Sequence, residues 1–227
     1  MAYYPTEVPF HHRSAWLGGR DVFGELVDGC RKMGMTVIAR TDPHATYDDV
    51  KEAHPDWIAV GADGKPRRHW ASPELWLTCA LGPYNFEFMT SVKREIMTRY
   101  RVDGIFINRW DGVPTCYCAH CQANFRQATG RDLPRTDNPR DPAHRAYLVW
   151  RQDRLFQLWR LWVNVDGAEP RRIDDEAQAR FRANDGTQAR PHVQDVAPFL
   201  EVIVNGDARK PHGAPSRVGS LQHHFKI

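Results

Sequence analysis

The chain has 227 residues, with 31 Lys and Arg against 28 Asp and Glu, and a net charge of +3. Charges of both signs are interspersed, so the sequence offers no basic stripe for nucleic acid. Mean hydropathy is −0.61, and no apolar run reaches the roughly 20 residues of a membrane span. The N-terminus MAYYPTEVPFHHRS has no basic region followed by an apolar one, so we expect no secretory signal and a cytoplasmic protein.

Short β-type runs alternate with helical runs in the first half of the chain, which predicts parallel βα units. The apolar spacing predicts a first helix that begins after Asp21 and is closed by Gly34, and a short helix within 42–57. A further helix carries apolar residues from Phe86 to Tyr100. Strands are predicted at 2–9, 35–40, 75–81 and 102–108.

The second half is less regular. Residues 113–145 hold a cluster of cysteines and a loop rich in Pro and Asp, and a long helix is predicted from Ala143 to Trp162. Strands are predicted at 179–184 and 198–204. These elements make about six βα units, whereas a closed (β/α)8 barrel needs about 250 residues. The predicted fold is therefore α/β, an incomplete TIM-type barrel over residues 1–205, followed by an irregular tail at 206–227.

The cysteine pattern CYCAHC (116–121) predicts a metal site. Cys116, Cys118 and Cys121 can converge from this one zinc-binding loop, and Cys79 at a predicted strand end supplies a fourth thiolate. Four thiolates are the ligand set of a tetrahedral structural zinc. Free or disulfide-bonded cysteines are the alternative reading, and His120 is the alternative fourth ligand. Cys30 lies on the apolar face of the first helix and is expected in the core.

Several stretches of the chain resemble sugar-cleaving enzymes. CALGPYNFEF (79–88) with CYCAHCQANFR (116–126) is similar to glycoside hydrolase family 42, the zinc-containing β-galactosidases. VIARTDPHATYDDVKEAHPDW, YRVDGIFINRW and CYCAHCQANFRQATGRDLP resemble the family called hypothetical glycosyl hydrolase 6, which is similar in turn to α-L-fucosidase-like barrels. The resemblance covers about residues 1–162. It implies a (β/α)8 barrel, a structural zinc, and a carbohydrate bound at the C-terminal ends of the strands.

The sequence departs from both patterns at the fourth strand. In family 42 that strand ends in Asn-Glu, with the Glu as acid/base, but here it ends in Asn108-Arg109. In the fucosidase-like pattern the nucleophilic Asp falls at Asn108. The seventh strand, which carries the second carboxylate of family 42, is not predicted in this chain. Glycosidases use two carboxylates that flank the scissile bond, so this chain would need carboxylates at other positions.

Polar residues at the predicted strand ends form the candidate site. The catalytic carboxylates are predicted to be Asp42 and Asp111. Trp70 or Trp110 would stack on a sugar ring, and the residues expected to bind substrate are Glu7, His44, Asn108, Arg109 and Trp110. Ordinary roles are the alternative: Asp42 and Asp111 are followed by Pro and Gly, as in common turns. In this alternative, His44 is an ordinary loop histidine and Glu7 is a solvated side chain.

Two hypotheses follow from these residues. In the first, the chain is a glycoside hydrolase-like protein that hydrolyses O-glycosidic bonds or binds carbohydrate at the strand ends. In the second, it is a truncated or degenerate barrel, non-catalytic, with a structural zinc. The sequence leaves open whether the protein is an enzyme. We expect no nucleic-acid or membrane partner, and the open edges of an incomplete barrel predict pairing into a homo-oligomer.

Overall fold

A computed structural model describes residues 1–109 and 114–165, together with the backbone of residues 203–205. The fold mixes helices and strands. The α-helices are α1 (Val22–Lys32), α2 (Asp48–Ala53), α3 (Met89–Tyr100), α4 (Ala119–Thr129) and α5 (Pro142–Val163). The strands are β1 (Thr36–Thr41), β2 (Ala45–Thr46), β3 (Trp76–Leu77), β4 (Gly104–Ile107) and β5 (Ile203–Asn205).

The central sheet has the strand order β4-β1-β5. Strands β1 and β4 are parallel, with Ile38 opposite Gly104 and Thr41 opposite Ile107, and α3 lies in the connection between them. Parallel strands end at the same edge of a sheet. The residues that follow the two strands, Asp42 and Asn108, are therefore brought together.

Helix α1 confirms the predicted start and stop signals. The side chain of Asp21 accepts a hydrogen bond of 2.9 Å from the backbone N–H of Gly24, as an N-cap does. Gly34, two residues past the helix, has a φ of 71°, a left-handed conformation that glycine adopts at little cost. The helix buries Phe23, Val27 and Cys30, so the expected core position of Cys30 is confirmed.

The apolar core has two parts, and α5 packs against both. The first part surrounds β1 and α3 and includes Val37 and Val92, and the second surrounds the cysteines and includes Phe125. Leu158 and Trp162 of α5 belong to the first part, whereas Tyr147 and Trp150 belong to the second. One long helix thus joins the cysteine cluster to the parallel strands, and its predicted extent is confirmed to within one residue at each end.

The prediction of a strand at 2–9 was wrong. Only Ala2 pairs, in an isolated bridge to Arg13. Pro5 and Pro9 have no backbone N–H to give to a ladder. The N–H of Glu7 instead donates to the carboxylate of Glu95 on α3, at 2.6 Å.

The strand predicted at 75–81 shortens to β3, which pairs antiparallel with β2 outside the central sheet. Its backbone continues into irregular pairing with the turn-rich segment before it: Leu77 N–H donates to Arg67 O, and Cys79 N–H to Trp57 O at 2.7 Å. These local bonds take the place of pairing with the parallel strands. The segment is therefore part of a long connection between β1 and α3 that folds back on itself.

Other predictions are confirmed only in part or lie outside the described residues. The described end of the strand predicted at 198–204 is β5, which runs antiparallel to β1, so it is not another parallel βα unit. Helix α4 was missed within the predicted loop 113–145, because its only buried residues are Cys121 and Phe125. The strand predicted at 179–184 and the tail at 206–227 lie outside the described residues.

The two sheets have three and two strands, so the closed sheet of a barrel is not seen in the part of the chain that the structure describes. What is seen is one parallel β1–α3–β4 unit with helices packed around it. In the same described ranges, no helix is both long enough and apolar enough to cross a bilayer.

Candidate functional site

The ends of β1 and β4 hold a group of polar and aromatic side chains that we call the strand-end cluster. Its members are Arg40, Asp42, His44, His69, Trp70, Asn108 and Arg109. The amide of Asn108 donates a hydrogen bond from Nδ2 to Asp42 Oδ1, at 2.6 Å. Its backbone N–H donates to Thr41 O, at 2.9 Å, which fixes the two strand ends against each other. The structure thus brings together four of the predicted site residues, Asp42, His44, Asn108 and Arg109, and bonds two of them directly.

Asp42 is also paired with Arg40. Arg40 Nε lies 3.2 Å from Asp42 Oδ2, and Arg40 Nη2 lies 3.3 Å from Asp42 Oδ1. Both carboxylate oxygens are therefore engaged, and the side chain is only 26% exposed. Arg40 donates one hydrogen bond, from Nη2 to Oδ1, and its Nε–Oδ2 approach is an ion-pair contact; together they hold the carboxylate in one orientation and compensate its charge.

His44 is a neutral member of the cluster. Burial lowers its pKa to about 4, against an opposing attraction to Asp42. At neutral pH its imidazole can therefore donate one hydrogen bond and accept another. Its Nδ1 atom is buried and has no hydrogen-bond partner among the described residues. A ligand hydroxyl is a group of the kind this ring could bond.

Aromatic stacking surrounds Trp70, the proposed sugar platform. The guanidinium of Arg109 lies 4.4 Å from the centroid of the Trp70 ring. The His69 ring is 3.9 Å away, and the His44 ring stacks at 5.6 Å. Trp70 is 43% exposed, but these protein groups already pack against it. Its ring therefore holds Arg109 and the histidines in place.

Glu7 has its described contacts along α3 and none with this cluster. Its backbone N–H donates to Glu95 Oε1, and Glu95 Oε2 accepts from Thr6 at 2.6 Å and from Tyr4 at 2.8 Å. The exposed side chain of Glu7 lines an open cavity of about 620 Å³ along α3, with Phe10 at its edge. No contact between Glu7 and Asp42 is described. Trp110 and Asp111 lie outside the described residues.

The four predicted cysteine ligands do come together. The Sγ atoms of Cys79, Cys116, Cys118 and Cys121 all lie within 4.8 Å of one another. Cys79 Sγ is 3.5 Å from both Cys118 Sγ and Cys121 Sγ, and no disulfide joins them. All but Cys116 are buried. The backbone N–H of Val60 donates to Cys116 Sγ, at 3.4 Å.

Local structure explains this convergence. Cys118 is the N-cap residue of α4, and Cys121 lies in its first turn. Gly82 keeps the chain after Cys79 close, because a Cβ there would lie 3.1 Å from Cys79 Sγ. His120 points elsewhere, with Nε2 at 3.5 Å from Asp56 Oδ2. Cys79 rather than His120 is therefore the fourth member.

The cluster fits a tetrahedral metal ion. With metal–sulfur bonds of ~2.3 Å, tetrahedral geometry separates the sulfurs by ~3.8 Å, close to the shorter distances here. Hydrogen bonds among the thiols, that with Cys118 first, hold the pKa of Cys116 below its ordinary value. Hydrogen bonds with the same neighbours, Cys116 first, raise the pKa of Cys121. A cation would favour the thiolate form of all four.

Two members of the strand-end cluster were missed by the sequence reasoning. Arg40 is two residues before Asp42 on the same strand, and side chains at that spacing share a face, so the alternation held a signal. His69 lies in the turn-rich segment 61–72, where no periodicity indicates which side chain turns inward.

Comparison with known proteins finds a similarity to one family. Residues 1–109, which are 109 of the 227 residues, match the model of the family described as hypothetical glycosyl hydrolase 6. This part of the chain is similar to a glycosyl hydrolase-like family. The match covers β1, β4 and the strand-end cluster, and it ends at Arg109. The search of curated proteins finds no match.

Two solved structures are similar to this chain. One is alpha-L-fucosidase isoenzyme 2 from Paenibacillus thiaminolyticus, at 18% identity and a TM-score of 0.55. That match covers 74% of this chain but only 23% of the fucosidase, so it bears on the fold. The other is a noncanonic maltogenic alpha-amylase AmyB from Thermotoga neapolitana, at 14% identity and a TM-score of 0.36, covering 69% of this chain and 41% of that one.

Proposed function

We propose that this protein binds carbohydrate at the strand-end cluster and hydrolyses an O-glycosidic bond there. The observation that carries the proposal is the 2.6 Å hydrogen bond between Asn108 and Asp42, at the carboxyl ends of two parallel strands. Barrel enzymes place their sites at that edge. The similarity of residues 1–109 to a glycosyl hydrolase-like family supports the same chemistry.

In this proposal Asp42 and Asp111 are the two carboxylates that glycosidic hydrolysis needs. Asp111 follows Arg109 by two residues, after the same strand. Asn108 positions Asp42, and neutral His44 exchanges hydrogen bonds with a sugar hydroxyl. Arg109 and Trp110 hold the substrate.

The test is the release of nitrophenol from a panel of aryl-glycosides, repeated with Asp42→Asn and Asp111→Asn. Asp28→Asn, an exposed position on α1, is the matched control. Loss of a general acid or base costs about 10²–10⁴-fold in rate. We expect turnover on one sugar and a loss of that size in both site variants but not in the control. Turnover that survives both site variants would contradict the assignment.

A second candidate function is sugar binding without catalysis, as in a truncated or degenerate barrel. Two observations favour it. Both oxygens of Asp42 are engaged by Arg40 and Asn108, and Arg109 stands where family 42 has its acid/base. Folded, metal-loaded protein that binds a sugar and shows no turnover on the panel would support this candidate over the first.

We further propose that the cysteine cluster holds a structural zinc. Four converging thiols, three of them buried, and the absence of a described disulfide support it. Zinc would cross-link the segment after β3 to the start of α4 without entering the chemistry. Reduced thiols also agree with the cytoplasmic location expected from the sequence.

The partial barrel over residues 1–205, with a tail at 206–227, stays a proposal of the same kind. One parallel β–α–β unit and the likeness in fold to a fucosidase support it. In the described ranges β4 pairs on one side only, with β1, which supports pairing between copies of the chain through that edge.

A further inference from the structure

The charge balance of the strand-end cluster is uneven. Asp42 and Arg40 compensate each other at 3.2 Å. His44 is neutral at pH 7 because burial lowers its pKa to about 4. Arg109 then supplies a positive charge that no carboxylate in residues 1–109 and 114–165 contacts in the described structure.

Arg109 is held over the cluster. Its guanidinium lies 4.4 Å from the centroid of the Trp70 ring, and the same ring stacks on His44. The positive charge of Arg109 contributes to the low pKa of His44, after burial and His69, which agrees with their closeness. Its backbone φ of 50° is left-handed, a conformation uncommon for residues other than glycine. The backbone is therefore strained at the residue that carries this cation.

These groups are poorly matched to a neutral sugar. Neutral sugars are commonly bound by carboxylates that accept from their hydroxyls, but in Asp42, the described carboxylate of this cluster, Oδ1 already accepts from Asn108 and Arg40 and Oδ2 faces the Arg40 guanidinium. A guanidinium has only donors, in a planar fork that matches a carboxylate. An acidic group on the sugar would give Arg109 the acceptor that it lacks among these residues.

We propose that the strand-end cluster selects a sugar bearing a carboxylate, a uronic acid, through an ion pair with Arg109. This inference rests on the proposed carbohydrate function. The Arg40–Asp42 pair keeps Asp42 from repelling the ligand, and Trp70 keeps the guanidinium face-on so that its N–H edge stays available. Neutral His44 binds a ring hydroxyl beside it.

Titration calorimetry of the zinc-loaded protein tests this with pairs of sugars that differ only in the acid: methyl glucuronide against methyl glucoside, and methyl galacturonide against methyl galactoside. Because Arg109 is exposed, an ion pair with it is of the weak, solvent-screened kind, and we expect the uronide of one pair to bind about 2–5-fold tighter. Arg109→Gln removes that preference, and Arg109→Lys retains part of it. Arg101→Gln is the matched control, because Arg101 is also exposed and left-handed, with φ 49°.

The outcomes separate the two proposals. Equal binding of both members of each pair would overturn the uronic-acid inference and leave the carbohydrate function standing. A preference that survives Arg109→Gln in folded protein would overturn the role of Arg109. Equal binding of a sulfated galactose and the galacturonide would show a general anion site and overturn the carboxylate assignment. Absence of binding by every sugar would overturn both the inference and the function on which it rests.

Discussion

Asn108 and Asp42 are joined by a hydrogen bond of 2.6 Å that runs from the end of β4 to the end of β1. Each residue is the first after its strand, and the backbone of Asn108 is bonded to Thr41 as well. The bond therefore forms wherever the two strands pair in register. It also explains why an amide suits position 108: an amide can donate to Asp42, and a carboxylate cannot.

Asn108→Asp tests this relationship. Two carboxylates at that distance cannot both ionise easily, so the pair takes up a shared proton and its apparent pKa rises above the unfolded value of about 4. A folded pKa above the unfolded one gives stability that is present at low pH and is lost as pH rises. We expect the melting temperature of the variant to lie further below that of wild type at pH 8 than at pH 5.

Asn124→Asp on α4 is the control for this experiment, because Asn124 is half-buried and no acidic partner is described for it. Its difference from wild type should change little between the two pH values. A pH-independent effect of Asn108→Asp would show that the two side chains do not interact as the structure places them.

Metal removal should unfold the region around the cysteines. Cys79, Cys118, Cys121 and Phe125 form one apolar cluster with α5, so the site and the packing depend on each other. We expect one zinc per chain by elemental analysis of protein purified without added metal. Cys79→Ser should lower both the zinc content and the melting temperature, since structural zinc binding is folding free energy.

Cys30→Ser is the matched control for Cys79→Ser. Both thiols are buried, but Cys30 lies in the other part of the core. It should lower the melting temperature and leave the zinc content unchanged. Wild-type protein that is folded and holds no metal would contradict the zinc proposal.

Arg154 on α5 is expected to support the metal site. Its Nη2 donates to Leu81 O, at 3.2 Å, two residues after Cys79. Burial lowers its pKa, while Cys121 and Cys79 oppose that shift through attraction to the guanidinium. Zinc with four thiolates carries a net charge of −2, which a nearby cation stabilises. Arg154→Gln should weaken zinc binding by ~10–100-fold, the usual effect of losing an outer-shell partner.

Competition with a chelator measures that affinity, and Co²⁺ absorption reports whether the four-thiolate geometry is kept. Arg160→Gln, an exposed position on the same helix, is the control and should bind zinc like wild type. An Arg154→Gln variant with unchanged affinity would mean that Arg154 only ties α5 to the backbone.

The sequence was most informative where local signals are strong. Asp21 and Gly34 mark the two ends of α1, as their capping chemistry predicts. The cysteine spacing predicted a cluster, and that cluster forms. The pairing partners of strands were harder. Nothing local shows that β3 folds back on β2, or that the N–H of Glu7 is taken by Glu95, 88 residues away. Glu7 was therefore expected beside Asp42, and the structure places it along α3.

The candidate site shows the same division. Asp42 and Asn108 were expected together because parallel strands end at one edge, a rule that requires only two correct strands. To predict the ion pair with Arg40, one would have to know which face of β1 turns toward the site. To predict that Trp70 stacks on Arg109, one would have to know the path of a turn-rich loop, and periodicity does not indicate that path.

Lys93 gives the last prediction. It is 1% exposed, and its Nζ lies 3.7 Å from the centroid of the Trp162 ring, which joins α3 to α5. Burial lowers its pKa from 10.5 to about 7. Between those values the unfolded state binds more protons than the folded state, so the free energy of unfolding contributed by this group rises with pH. Nearby His11 adds no charge, because burial lowers its pKa to about 3.

Lys93→Met keeps the volume of the side chain and removes the charge. We expect the variant to be more stable than wild type at pH 7, and the difference to shrink by at most about 1.4 kcal/mol per pH unit toward pH 9.5. Urea unfolding of the zinc-loaded proteins measures both, with the exposed Lys32→Met as control. If Lys93→Met were less stable than wild type at every pH with a constant gap, attraction to the Trp162 ring would outweigh the cost of burial.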